Sequence, residues 1–76
     1  MYTVIGIERK VGKYEGREYD NTILHCSYEK KDVDGVCVVS IKVKTERIDY
    51  PLELGCTVSP LYDRFGNVVQ LDVTNG

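Results

Sequence analysis

The segment KVGKYEGREYDN, Lys10–Asn21, lies between two stretches that have the alternating pattern of β-strands. It contains two glycines, three basic residues and two tyrosines. A tight hairpin needs only two loop residues, and this polar segment is longer. We therefore predict a strand at Tyr2–Arg9, a strand at Tyr19–Tyr28, and a basic loop between them that is either a plain turn or an arm that grips a ligand.

The rest of the chain continues the strand pattern. Apolar residues recur with a period of two, and no segment shows the periodicity of a helix. Three further strands are predicted at Val36–Thr45, Cys56–Asp63 and Val68–Thr74. The inward-facing residues are expected to be Cys37, Val39, Ile41 and Val43 in the third strand and Val69, Leu71 and Val73 in the fifth.

Glycine and proline mark the irregular positions. Gly6 indicates a bulge or a close backbone approach in the first strand, and Pro60 places the fourth strand at a sheet edge or a bulge. Pro51 interrupts Glu46–Gly55, the one place where a helix could fit, so at most a single helical turn is expected there. Gly66 can take a positive φ in the last turn.

The polar segment Glu29–Gly35 ends in Asp-Gly, which is typical of a mobile, solvated loop. Five short strands without a substantial helix favour an all-β fold, and a chain of 76 residues is expected to form a single domain, 1–76. The leading prediction is a small five-stranded OB-like barrel with Greek-key connections, and a small SH3-like barrel is the alternative. Closing the sheet removes exposed edges, which would otherwise invite aggregation.

The formal net charge of -2 argues against a general polyanion binder, although it leaves room for a local basic patch. No apolar run approaches the ~20 residues of a membrane span, and the N-terminus lacks the pattern of a signal peptide. These features predict a cytoplasmic protein.

The three cysteines, Cys26, Cys37 and Cys56, are odd in number and widely spaced, and they form no CxxC pair. We expect them to be reduced and mostly buried, with no metal site. His25 is next to Cys26, but neighbours on a strand point to opposite faces, so they are badly placed for catalysis. No nucleophile, acid–base or phosphate-binding motif is present, and we predict no catalytic residue and no cofactor.

Three places combine basic and aromatic side chains, as in proteins that bind single-stranded nucleic acids. They are the arm after strand one, the lysine-bearing face of strand three, and the turn before strand five. The predicted nucleic-acid-binding residues are Arg9, Lys13, Tyr14, Arg17, Tyr19, Lys42, Lys44, Arg64 and Phe65. In OB barrels the loops between strands one and two and between strands four and five flank the binding face, which is where most of these residues lie.

Each of these features also has a purely structural interpretation. Alternating lysines on strand three keep an exposed face soluble, and Tyr14 and Tyr19 could pack over the end of a barrel. Phe65 could plug the core or a dimer interface. Glu18 and Asp20 dilute the charge of the arm, so spacing alone favours a solvated hairpin over a DNA-gripping arm.

The string GREYDNTILHC, residues 16–26, together with the upstream RKVGKYE, resembles the basic hairpin arm and second strand of filamentous-phage helix-destabilising proteins. Later strings, VCVVSIKVKT and RFGNVVQLDV, follow in the same order as in that family. The resemblance implies a small barrel that binds single-stranded DNA as a homodimer assembled through the late hairpin. It also implies that Arg9, Lys13 and Arg17 contact phosphates and that Tyr19 and Phe65 stack on bases.

Two hypotheses follow. The first is a non-catalytic protein that binds single-stranded DNA or RNA without strong sequence preference. The alternative is a small phage or mobile-element protein-interaction module that docks through the edge of strand four or through Phe65. A third class, a small enzyme, has no motif in its favour.

Overall fold

The computed structural model describes residues 1–48 and 51–74. They form one antiparallel sheet of five strands and, between the third and fourth, a single 3-10 turn at Thr45–Arg47. The strands are β1 (Tyr2–Tyr14), β2 (Arg17–Tyr28), β3 (Cys37–Lys44), β4 (Thr57–Tyr62) and β5 (Val68–Thr74). Within the described residues the all-β class and the five strands are confirmed.

The order of the strands in the sheet is β3-β2-β1-β4-β5. β3 and β5 are therefore the two edges, and the sheet is not closed into a barrel. The sheet curls so that both of its ends contribute to one core, which Leu24 and Ile41 share with Val58 and Leu71. The buried apolar residues of this core are Val4, Leu24, Cys26, Ile41, Val43, Cys56, Val58, Val68 and Leu71.

The predicted loop between the first two strands is a continuous β-ribbon. The predicted end of the first strand at Arg9 and the predicted start of the second at Tyr19 were therefore both wrong. β1 runs to Tyr14, β2 begins at Arg17, and only Glu15 and Gly16 form the turn. Their φ values, 51° and 77°, are both positive, as a two-residue type I′ turn requires. The segment is polar because the ribbon extends past the core and both of its faces meet solvent, so polarity there did not indicate a loop.

Bulges in β1 and β5 shift the alternation of side chains. In β1 the register skips Ile5, next to Gly6, and this confirms the predicted irregularity. In β5 the register skips Val69, because Leu61 pairs with Gln70 and Tyr62 with Val68. Val68 is therefore buried and Val69 exposed, which reverses the prediction for Val69.

Other local predictions are confirmed. Ile41 and Val43 of β3 are buried, with Cys37 and Val39 partly covered. Gly66 has a φ of 83° in the β4–β5 turn. The 3-10 turn is the expected single helical turn, although Asp49 and Tyr50 of the predicted segment lie outside the described residues.

Pro60 lies where β4 has only one neighbour. β4 pairs with β1 only at Val58 and Thr57, so Pro60 has no strand on its β1 side and needs no N–H there. The 45 Å long axis of the molecule reflects the extended β1–β2 ribbon. In the described part of the chain, no helix has the length and apolarity needed to cross a membrane.

Candidate nucleic-acid interface

The β1–β2–β3 part of the sheet has a core face and an outer face. On β2 the buried residues Thr22, Leu24 and Cys26 define the core face, so the odd-numbered residues of this strand point outward. Directly paired residues share a face, which assigns the neighbouring strands as well. The outer face carries Glu8, Lys10, Gly12 and Tyr14 of β1, Arg17, Tyr19, Asn21, Ile23 and His25 of β2, and Ser40, Lys42 and Lys44 of β3.

Five of the nine predicted binding residues lie together on this outer face: Tyr14, Arg17, Tyr19, Lys42 and Lys44. Lys10 also belongs to it, since it pairs with Asn21, which pairs in turn with Lys44. Sequence reasoning did not include Lys10 in the site. If the first strand had been predicted to continue to Tyr14, the alternation of its side chains would have placed Lys10 on the same face as Tyr14.

Arg9 and Lys13 lie on the opposite face of the ribbon. Arg9 donates from Nε to Oδ1 of Asp20 at 2.9 Å and forms a second bond through its terminal nitrogen. Thr45 donates to the same carboxylate at 2.7 Å. The hydrogen bond from Arg9 lowers the pKa of Asp20 to about 2, and Asp20 raises the pKa of Arg9. Arg9 is thus already engaged, and Lys13 faces its cross-strand partner Glu18.

The two tyrosines of the ribbon differ in their surroundings. The hydroxyl end of Tyr19 lies over Gly12, where the absent side chain leaves room for it. Tyr19 is 41% exposed and Tyr14, beside the turn, is 71% exposed. Both rings therefore present surface to solvent, and the Tyr19 ring also packs on the backbone at Gly12.

Arg64 and Phe65 lie in the β4–β5 turn, away from the ribbon's outer face. Asp63 organises this turn, because its Oδ1 accepts the backbone N–H groups of Phe65 at 2.8 Å and of Asn67 at 2.9 Å. The bond from Asn67 lowers the pKa of Asp63. The Phe65 ring is 75% exposed, and the Arg64 guanidinium carbon lies 4.9 Å from the ring centre, which is a cation–π contact.

Two grooves connect these regions. The arm groove, about 800 Å³, runs along the end of the ribbon and is lined by Val11, Gly12, Lys13, Glu18, Tyr19, Asp20, Asn21, Lys44, Thr45 and Glu46. The seam groove, about 530 Å³, separates β3 from the β4–β5 turn. It is lined by Asn21, Ser40, Ile41, Lys42, Lys44, Arg47, Tyr62, Asp63, Gly66, Asn67, Val68 and Val69. Asn21 and Lys44 line both grooves, so the two grooves lie next to each other at these residues.

The outer face also holds a serine–histidine–glutamate arrangement that the sequence did not reveal. His25 Nδ1 lies 2.9 Å from Ser40 Oγ, and His25 Nε2 lies 3.5 Å from Glu8 Oε1. The three residues come from three neighbouring strands, so only the sheet register brings them together. They lie on an exposed surface of the sheet, where β2 is paired on both sides and its N–H groups are used in the ladders.

The cysteines are all free, with Cys26 and Cys56 buried and Cys37 partly buried. Burial raises the pKa of Cys26, which makes its thiol a poor nucleophile. Among residues 1–48 and 51–74, no three His, Cys, Asp or Glu side chains are grouped as metal ligands.

Comparison of the chain with protein-family models, with curated proteins and with solved structures finds no match in any of the three. A functional assignment therefore depends on the charges and shapes of the surfaces described above.

Proposed function

We propose that the protein is a non-catalytic protein that binds single-stranded DNA or RNA on the outer face of β1, β2 and β3. One observation carries this proposal. The outer face gathers four cations, Lys10, Arg17, Lys42 and Lys44, whereas Glu8 is its one acid within the described strands. Glu8 Oε1 lies 3.5 Å from His25 Nε2, and within the described residues Glu8 forms no salt bridge with these cations.

The chemistry of this face suits a nucleic-acid single strand. Lysine and arginine side chains neutralise backbone phosphates, and exposed tyrosine rings offer stacking surfaces to bases without selecting their sequence. Because the whole chain has a formal charge of -2, the rest of the surface repels a polyanion. We therefore expect binding that is confined to one face and that weakens as salt is added.

The fold is consistent with a partly open OB-like barrel, which is part of this proposal. β3 and β5 are the unpaired edges of the sheet, and they lie on either side of the seam groove. Joining them would close a five-stranded barrel, and Arg47 already reaches across to the Val69 carbonyl at 3.5 Å. In OB folds the strand faces and the loops next to such a barrel contact oligonucleotides.

A binding titration with labelled oligo-dT and oligo-U at low salt tests the proposal. The wild-type chain should bind, and the affinity should fall as the salt concentration rises. A double variant, Lys42→Gln/Lys44→Gln, should weaken binding strongly because it removes two cations of the outer face.

The matched control is Lys30→Gln/Lys31→Gln, which removes the same charge from the exposed loop between β2 and β3. It should leave affinity close to that of the wild type. Equal losses in the two double variants would mean that binding follows net charge and not the outer face. No binding to either oligonucleotide at low salt would contradict the proposal itself.

The second candidate, a protein-interaction module, is favoured by the exposure of Phe65 at the tip of the β4–β5 turn. A homodimer of the chain would be one form of such an interaction. The chain exposes 5941 Å², whereas a compact protein of its mass exposes about 4,700 Å², so its extended shape leaves more surface exposed than a compact fold does. Light scattering on the wild type and on Phe65→Ala separates the two cases. A dimer that dissociates in Phe65→Ala, in a chain that binds no oligonucleotide, would favour the interaction module.

A further inference from the structure

We propose that the seam groove is a second contact region for the strand, where Lys42, Lys44 and Arg47 bind a phosphodiester and the adjacent base stacks on Tyr62. This inference rests on the proposed function and extends its site to Arg47 and Tyr62. The strand would pass from the outer face over the free edge of β3 into the groove.

The charge of the seam groove favours an anion. Three cations line it, and Asp63 is its one acid among the described residues. The Asp63 carboxylate is bound within the β4–β5 turn itself. Its Oδ1 accepts two backbone N–H groups, and its Oδ2 lies 3.4 Å from the side-chain amide nitrogen of Asn67. It therefore forms no salt bridge with these cations in the described part of the chain, and they remain free to bind phosphate.

Arg47 is placed to bind a phosphate by the bulge in β5. The register skips Val69, and the Val69 carbonyl accepts a hydrogen bond from Arg47 Nη1 at 3.5 Å. That distance is at the long limit for a hydrogen bond, and the other nitrogens of the guanidinium have no partner among the described residues. A guanidinium held loosely at one corner can present its remaining N–H groups to phosphate oxygens.

Tyr62 supplies the stacking surface. It is the last residue of β4 and is 50% exposed at the wall of the groove. No other aromatic ring packs on it within residues 1–48 and 51–74. Asn21 and Asn67 line the same groove, and asparagine amides can hydrogen-bond to base edges of any sequence.

The path is continuous but bent. Asn21, Lys42 and Lys44 belong to the outer face and also line the seam groove, which Tyr62 lines as well. A single strand can follow such a path over a strand edge, whereas a duplex with a persistence length of about 50 nm cannot bend so sharply. The arrangement therefore predicts selectivity for single strands over duplexes of the same sequence.

Two variants test the seam groove by oligo-dT affinity. Tyr62→Leu should weaken binding about fivefold or more, because it removes one stacking surface. Arg47→Gln should lower the slope of log affinity against log salt by about 0.7, as expected for one lost phosphate contact with a single strand. Lys30→Gln is the matched control and should change neither quantity. Dispersed amide spectra of each variant confirm that it is folded.

Amide chemical shifts locate the contact directly. Titration with oligo-dT, and separately with pyrophosphate, should move the signals of Lys42, Arg47 and Asn67. Suppose that Tyr62→Leu and Arg47→Gln bind oligo-dT as well as the wild type does, and that these signals do not shift. The proposal for the seam groove is then wrong, and the proposed function stands. If neither oligo-dT nor oligo-U binds, the proposed function fails, and the seam groove fails with it as a contact for a strand. Pyrophosphate shifts at these residues would then show an anion site only.

Discussion

Tyr19 and Gly12 form a cross-strand pair in which the tyrosine ring occupies the space that a side chain at residue 12 would fill. A Cβ atom added to Gly12 would lie 2.5 Å from the Tyr19 hydroxyl oxygen and 2.8 Å from Cζ. His25 packs over Gly6 in a similar way, with its Cβ 3.4 Å from the corresponding position. An aromatic ring over a glycine covers the strand backbone and restores packing that the glycine lacks. The orientation of Tyr19 thus depends on the glycine opposite it.

Gly12→Ala should displace the Tyr19 ring from the ribbon. The expected result is the loss of nuclear Overhauser contacts between the Tyr19 ring and the backbone of residue 12, together with weaker oligo-dT binding. Val11→Ala is the control, because Val11 lies on the other face and should leave these contacts in place. Retention of the contacts in Gly12→Ala would show that the ring can be accommodated in another way.

The Arg9–Asp20 pair should make the free energy of unfolding depend on pH in the acidic range. The folded chain lowers the pKa of Asp20 from its ordinary value of 3.8 to about 2, so folding favours the carboxylate. Its contribution is fully present above the unfolded pKa and is lost as the pH falls through the folded pKa. Urea unfolding of the wild type and Asp20→Asn should show a constant stability difference near neutral pH that shrinks below about pH 4. A difference that does not change down to pH 2 would contradict the pairing.

The two-residue turn of the ribbon should respond to substitutions at both positions. Glu15 has a φ of 51° and is the one non-glycine residue with positive φ in the described chain. Glu15→Asn should stabilise the protein by up to about 1 kcal/mol, because asparagine tolerates the left-handed conformation better. Gly16→Ala should destabilise it by about 1 kcal/mol, since Gly16 has a φ of 77°. Denaturant unfolding measures both, and a change in Glu15→Asn of the opposite sign would exclude this turn.

The bulge in β5 should be visible in a pair of valine truncations. Val68→Ala removes buried methyl groups and should cost about 2 kcal/mol of unfolding free energy. Val69→Ala should change stability by no more than about 0.5 kcal/mol, because Val69 is exposed. Thermal or denaturant unfolding compares the two. A larger loss of stability in Val69→Ala than in Val68→Ala would mean that β5 follows simple alternation and contains no bulge.

Arg17 and Arg9 should differ in their effect on salt dependence. Arg17 lies on the outer face and forms no salt bridge within the described residues, whereas Arg9 is bound to Asp20 on the opposite face. Arg17→Gln should lower the slope of log affinity against log salt by about 0.7, and Arg9→Gln should leave it nearly unchanged. Titrations at four salt concentrations give both slopes. Equal slopes in the two variants would mean that the faces of the ribbon do not define the site.

Much of the fold could be predicted from local patterns. The alternation of apolar residues located β3 within one residue at each end, and Gly66 marked the last turn. Pro51 predicted at most a single helical turn, and the described residues contain one 3-10 turn at Thr45–Arg47. These signals are local, since backbone dihedral preferences and side-chain period act over a few residues. The same patterns failed for Lys10–Asn21, where no core lies against the ribbon and polar residues are compatible with a strand.

The composition of the candidate site could also be read from the sequence, but its grouping could not. The nine predicted residues included five that share the outer face. Arg9 and Lys13 lie on the other face, because the turn fixes the register of the β1–β2 ladder and side chains alternate along each strand. Tyr62 and Arg47 were not among them, since the seam groove exists only where β3 and the β4–β5 turn approach in space.

Residue types and short-range spacing are enough to predict the β-rich class, the turn residues and the supply of cations and tyrosines. The folded sheet is needed to show that Lys10–Asn21 is a ribbon and that its basic residues divide between two faces. The register of the β1–β2 ladder fixes each side chain's face, and a shift by one residue would move Arg17 and Tyr19 to the other side. The open seam between β3 and β5 likewise follows from how the sheet curls around one core, which is a property of all five strands together.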